Sequence, residues 1–93
     1  MANRRDIKKD INNVLGDVLE ECYSEMLNNP DKNENEINAI IDEAVDLAND
    51  LMFRVNNAHD ITKGKSVKTH FSKISEDLED KAIGFIEKLN ALT

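Results

Sequence analysis

Apolar side chains return every three or four residues in three separate stretches of this 93-residue chain, the spacing of one face of an α-helix. The first stretch holds Ile7, Ile11, Val14, Leu15, Val18, Leu19, Cys22 and Met26. Ile37, Ile40, Ile41, Ala44, Val45, Ala48, Leu51, Met52 and Val55 form the second, and Val67, Phe71, Ile74, Leu78, Ala82, Phe85, Leu89 and Leu92 the third. A helix with one apolar stripe must cover it with another element. Three such stripes therefore predict an all-α chain folded as one domain over residues 1–93, an antiparallel up-down-up three-helix bundle with helices at about 3–28, 33–56 and 66–92. On the second stripe Ile41→Asp is expected to cost several kcal/mol, because it buries an unpaired charge.

Local signals set the boundaries. Asn28-Asn29-Pro30 ends the first helix, since proline pushes the residue before it out of the α region and Asn tolerates a left-handed C-terminal position. Asp31 with Glu34, or Asn33 with Glu36, offers a capping box for the second helix. Asn56 to Lys65 loses the helical period and carries turn formers, so it reads as a connecting loop, after which Ser66 is a suitable N-cap.

Composition narrows the function. The net charge is −7, and it concentrates between residues 31 and 58, where Lys32 and Arg54 face seven carboxylates. Such a surface repels phosphate backbones and anionic lipid, so neither nucleic acid nor a membrane is expected as a partner. Arg4, Arg5, Lys8 and Lys9 make a short basic cluster that Asp6 and Asp10 dilute. Cys22 is the single cysteine and lies on an apolar stripe, as a small buried hydrophobe would. With no signal-peptide run and no more than three strongly apolar residues in succession, a cytoplasmic location is expected.

No catalytic, metal or cofactor site is expected. Asp31, Asn33, Asn35 and Asp42 imitate part of a calcium loop, but Glu36 stands where its sharp turn needs glycine. His59 and His70 are the only histidines and have no metal-ligand spacing; His70 reads as a boundary residue with one ring nitrogen hydrogen-bonded, His59 as exposed. Gly64-Lys65-Ser66 lacks the first glycine of a phosphate loop, with His59 in its place. Asp42, Asp46 and Asp50 repeat at four-residue spacing, which places like charges on a solvated face rather than an acid beside a base.

Four apolar residues fall off the stripes. Phe53 sits nearly opposite the second stripe among aspartates, Ile83 nearly opposite the third, and Tyr23 and Leu27 flank the first near its C-terminal end. Either the 56–65 loop covers Phe53, through Ile61, or the four mark a surface for another protein or for a second copy in a homodimer. The expected function is accordingly a non-enzymatic protein-interaction or self-association module. Two alternatives are a ligand-binding domain closing His59, Asp60 and Lys63 over a small molecule, and an acidic mimic that occupies a basic partner protein.

The segments Ile7-Lys8-Lys9-Asp10-Ile11, Glu43-Ala44-Val45-Asp46-Leu47 and Arg54-Val55-Asn56-Asn57 resemble those of a family of small, uncharacterised, all-helical bacterial proteins. The resemblance implies a bacterial, cytoplasmic, helical protein and brings no activity or binding residues with it.

Overall fold

The computed structural model describes residues 3–92. Its elements are all helical: α1 (Arg4–Asn28), α2 (Glu34–Asn56), α3 (Ala58–Thr62) and α4 (Val67–Leu92). The three long helices agree with the apolar periods to within a residue at each end. The fourth, α3, lies in the stretch that the sequence reads as loop.

Helix α1 begins at Asn3, whose side chain accepts the Asp6 amide at 3.0 Å. Asp6 also places a carboxylate in the first turn, where the helix dipole favours it, beside Arg4 and Arg5, which the dipole disfavours. At the other end the Asn29 amide closes on Glu25 O at 2.9 Å, but Asn29 is not left-handed (φ −131°, ψ 69°). Pro30 holds it toward extended backbone, and the chain takes its left-handed residues later, at Asp31 and Asn33.

That displacement changes the start of α2. Asn33 occupies the N-cap position at φ 57°, and its side chain makes no capping hydrogen bond, so the second of the expected boxes does not form. The N-cap position being Asn33, Asp31 is too early for the first. The Asn33 amide group instead donates to Leu92 O, the last residue of α4, at 2.8 Å.

The one-turn helix α3 is a correction to the expected loop. One turn is too short to show a period, but Ala58 is fully buried and seats the turn on the core. Ile61 N–H reaches Asn57 O at 2.9 Å and Thr62 Oγ1 donates to Ala58 O at 2.7 Å. The turn ends with Lys63 left-handed and Gly64 N–H bonded to His59 O at 3.0 Å, a Schellman-type closure. Gly64 has φ 78°, which glycine adopts without strain; a Cβ there would meet the His59 ring at 3.5 Å, an ordinary contact, so the backbone rather than the space favours glycine.

Helices α1, α2 and α4 each pack against the other two. Asn33 meets Leu92, Glu43 meets Lys88 and Arg54 meets Asp77, so climbing α2 means descending α4 and the two run antiparallel. The short link over residues 29–33 makes α1 and α2 antiparallel as well. The result is a rod of 48 × 21 × 18 Å.

The core joins Ile7, Ile11, Leu15, Val18 and Cys22 of α1 to Ile37, Ile40, Ala44, Leu51 and Val55 of α2 and to Ile74, Leu78, Phe85 and Leu89 of α4. Two stripe residues stand apart from this cluster: Val67, half-buried at the start of α4, and Val45, which is 43% exposed. Val45 lies roughly 100° round the helix from the centre of α2's buried set, because that set is rotated toward Ile40 and Leu47. Leu47 on α2 and Ile86 on α4, both outside the expected stripes, pack against the core.

Candidate functional site

The polar residues sort into anchoring contacts and solvated faces. Arg54, near the end of α2, sends Nη1 to Asp77 Oδ2 at 2.9 Å, and Lys73 reaches the other oxygen of Asp77 at 3.3 Å. Arg54 Nε lies 3.4 Å from Asp50 Oδ2, an ion-pair distance whose geometry falls short of a hydrogen bond, so the Nε–H is left unsatisfied. The hydrogen bond from Arg54 holds the Asp77 carboxyl below the usual carboxylate range; partial burial opposes it and Lys73 adds to it.

His70 Nε2 lies 2.9 Å from the Arg54 carbonyl. An acceptor of that kind requires the proton on Nε2, so the ring donates to a carbonyl at the end of α2, where helical partners run out. His70 is half-buried, as its boundary position predicts. Cys22 is buried, and burial first, then the charge of Glu21, pushes its thiol pKa up, which keeps it protonated and poorly nucleophilic.

Among the described residues no three His, Cys, Asp or Glu side chains gather in a group that could hold a metal ion. Asp31 and Asn33, which imitate a calcium loop in sequence, instead form the left-handed link before α2, and Asp42 lies well inside that helix. His59, Asp60 and Lys63 are exposed on α3 and just after it.

The four off-stripe apolar residues are all exposed: Leu27 by 81%, Phe53 by 60%, Ile83 by 58% and Tyr23 by 53%. Ile61, expected as a cover for Phe53, is exposed too, so the short helix does not bury that ring. The four do not share one place. Tyr23 and Leu27 lie at the end of the rod where α1 turns into α2, whereas Phe53 is 19 residues into α2, about 28 Å along the axis.

Ile83 belongs to a groove between α1 and α4 of about 630 Å³. Val14, Val18, Ala82, Ile86 and Leu89 give it an apolar floor, and Asp17, Glu20, Glu21 and Glu87 stand along it with no basic side chain among its lining residues. A second groove, of about 600 Å³, lies between α2 and α4 and differs in charge, because Lys81 and Lys88 line it together with Glu43, Asp46 and Asp80. Lys88 is already paired with Glu43 at 3.2 Å.

Sequence reasoning finds Ile83 and misses the rest of its groove. The signal present was Asp17, Glu20 and Glu21 at helical spacing on α1, and Glu87 four residues after Ile83 on α4. Nothing in either pattern says that these two faces meet.

Fold and site together define an all-helical protein with an acidic, apolar-floored surface groove. No family model, curated protein or solved structure matches the chain. Among the described residues no helix is long and apolar enough to cross a membrane.

Proposed function

We propose that this chain is a non-enzymatic protein-interaction domain, built as an up-down-up bundle of three long helices with α3 as an ornament on the second connection. The observation that carries the reading is Ile83, which is more than half exposed beside an apolar-floored groove. Large exposed apolar side chains that adjoin further apolar surface are what contact sites on a protein present to a partner. Phe53, Tyr23 and Leu27 supply further exposed apolar surface elsewhere on the rod. A cytoplasmic location, proposed on the sequence, suits the buried and unpaired Cys22.

The test compares the wild-type chain with Ile83→Ser and Phe53→Ser. Both positions are exposed, so helical content and melting temperature should be unchanged while association, with another protein or a second copy, weakens in at least one variant. Light scattering reads self-association and co-purification reads a partner. If neither a second copy nor any protein is held by the wild-type chain, the interaction reading is wrong.

A further inference from the structure

We propose that the α1–α4 groove seats one basic amphipathic helix from another protein, its apolar side on Val14, Ile83 and Ile86 and its lysines or arginines against Asp17, Glu20, Glu21 and Glu87. The inference rests on the interaction reading above and adds the partner's chemistry to it. Shape supplies the first argument. The groove runs from Val14 to Glu21 on α1 and from Ala82 to Asn90 on α4, about 12 Å, or two turns of a docked helix. Helices that lie in grooves use apolar anchors at such spacing, three or four residues apart.

Charge supplies the second argument, and it selects the sign of the partner. Four carboxylates with no cation among the lining residues make a field that attracts a basic segment and repels an acidic one. The same field argues against a second copy of this chain as the occupant. Two copies meeting groove to groove would set eight carboxylates against each other. The chain's own basic cluster, Arg4, Arg5, Lys8 and Lys9, cannot serve either, because the apolar residues of that turn, Ile7 and Ile11, are consumed in the core at 1% and 0% exposure. Lys63, Lys65 and Lys68 stand near the exposed Ile61, but the five-residue α3 is one turn and cannot fill a two-turn groove. The partner that brings both cations and a free apolar stripe is therefore a different chain.

The probe is a synthetic peptide with leucines at i, i+3, i+4 and i+7 and lysine or arginine at its other positions. Controls are the same composition in scrambled order and the same leucines with glutamate in place of the basic residues. Fluorescence anisotropy should show binding of the first peptide alone, weakening as salt is raised. Ile83→Ser should lower affinity about tenfold, and the charge reversal Glu20→Lys with Glu87→Lys should do so to a similar or greater extent. Both glutamates are exposed, so the reversal leaves the fold intact and keeps the test informative if Ile83→Ser disturbs packing. Amide shift changes should map to residues 14–21 and 82–90.

Failure of the basic peptide to bind, equal binding of the scrambled or acidic peptide, indifference to charge reversal, or shifts centred on Phe53 would each overturn the groove assignment. A partner that co-purifies equally with wild type, Ile83→Ser and the reversed variant would also overturn it, while leaving the interaction reading standing through another face.

Discussion

The side-chain amide of Asn33 donates a 2.8 Å hydrogen bond to the main-chain carbonyl of Leu92, joining the position before α2 to the last residue of α4. The final carbonyls of a helix have no partner within it, so this bond satisfies one of them and ties together two helices that the chain connects only through α3 and its flanking turns.

Two substitutions separate the bond from the backbone. Asn33 has φ 57°, which glycine adopts freely, so Asn33→Gly removes chiefly the hydrogen bond, at about 1 kcal/mol. Asn33→Ala loses the same bond and keeps a Cβ in the left-handed region without the short polar side chain that lets Asn tolerate it, so it should cost more than the glycine variant. Urea denaturation should rank wild type above the glycine variant and the glycine variant above alanine. Amide exchange in the last turn of α4 should quicken in both.

At the opposite end of the α2–α4 pair, Arg54 and Asp77 are 2.9 Å apart. The Arg54 hydrogen bond, opposed by partial burial and aided by Lys73, depresses the folded-state pKa of Asp77. An unfolded aspartate titrates near pH 3.9, so the contribution is complete above that and disappears as pH falls through the lower folded value. Asp77→Asn removes this linkage. The stability gap between wild type and variant should be widest near neutrality and shrink below about pH 4. Urea midpoints across that range check it; a gap that stays constant to about pH 2 would contradict the assignment.

What the sequence discloses is set by the range of each signal. The long helices are legible because Ile7, Ile11, Ile37, Ile74 and their neighbours repeat a period over many turns. Ala58 and Ile61 form a turn too short to repeat anything, so α3 is invisible in the pattern. Asn33 appears as a cap because Glu36 is close in sequence, while its actual partner lies 59 positions away. His70 is recognisable as a boundary residue, but the carbonyl it meets belongs to another helix. The groove is the extreme case: Ile83 stands out as misplaced on α4, yet its acidic surroundings come mostly from α1.

Adjacent residues on α2 provide a test of the helix orientation. Ile40 is buried in the core at 3% exposure, and Ile41 is only partly buried beside it. Ile40→Asp places an unpaired carboxylate where water cannot reach, a change of roughly 4 kcal/mol or more, comparable to the whole stability of a small domain. Ile41→Asp lets the carboxylate turn toward solvent and should cost less than its position on the stripe implies. Thermal melts followed by circular dichroism should find Ile40→Asp largely unfolded and Ile41→Asp folded with a lowered midpoint. The reverse order would mean that α2 is rotated from the orientation described.

The glycines give a prediction of opposite sign. Gly16 and Gly84 lie inside α1 and α4, and a Cβ built on either meets nothing within 4 Å. Glycine costs a helix interior about 1 kcal/mol relative to alanine, through the backbone freedom it gives up. Gly16→Ala and Gly84→Ala should therefore each stabilise the fold by about 0.5–1 kcal/mol, and because they sit on different helices the double variant should gain nearly the sum. Gly64→Ala should move the other way, since its φ of 78° leaves a side chain strained. Denaturant midpoints measured on the four variants decide the matter. A loss of stability at Gly84 would show that α4 packs more closely against α2 than the groove between them allows.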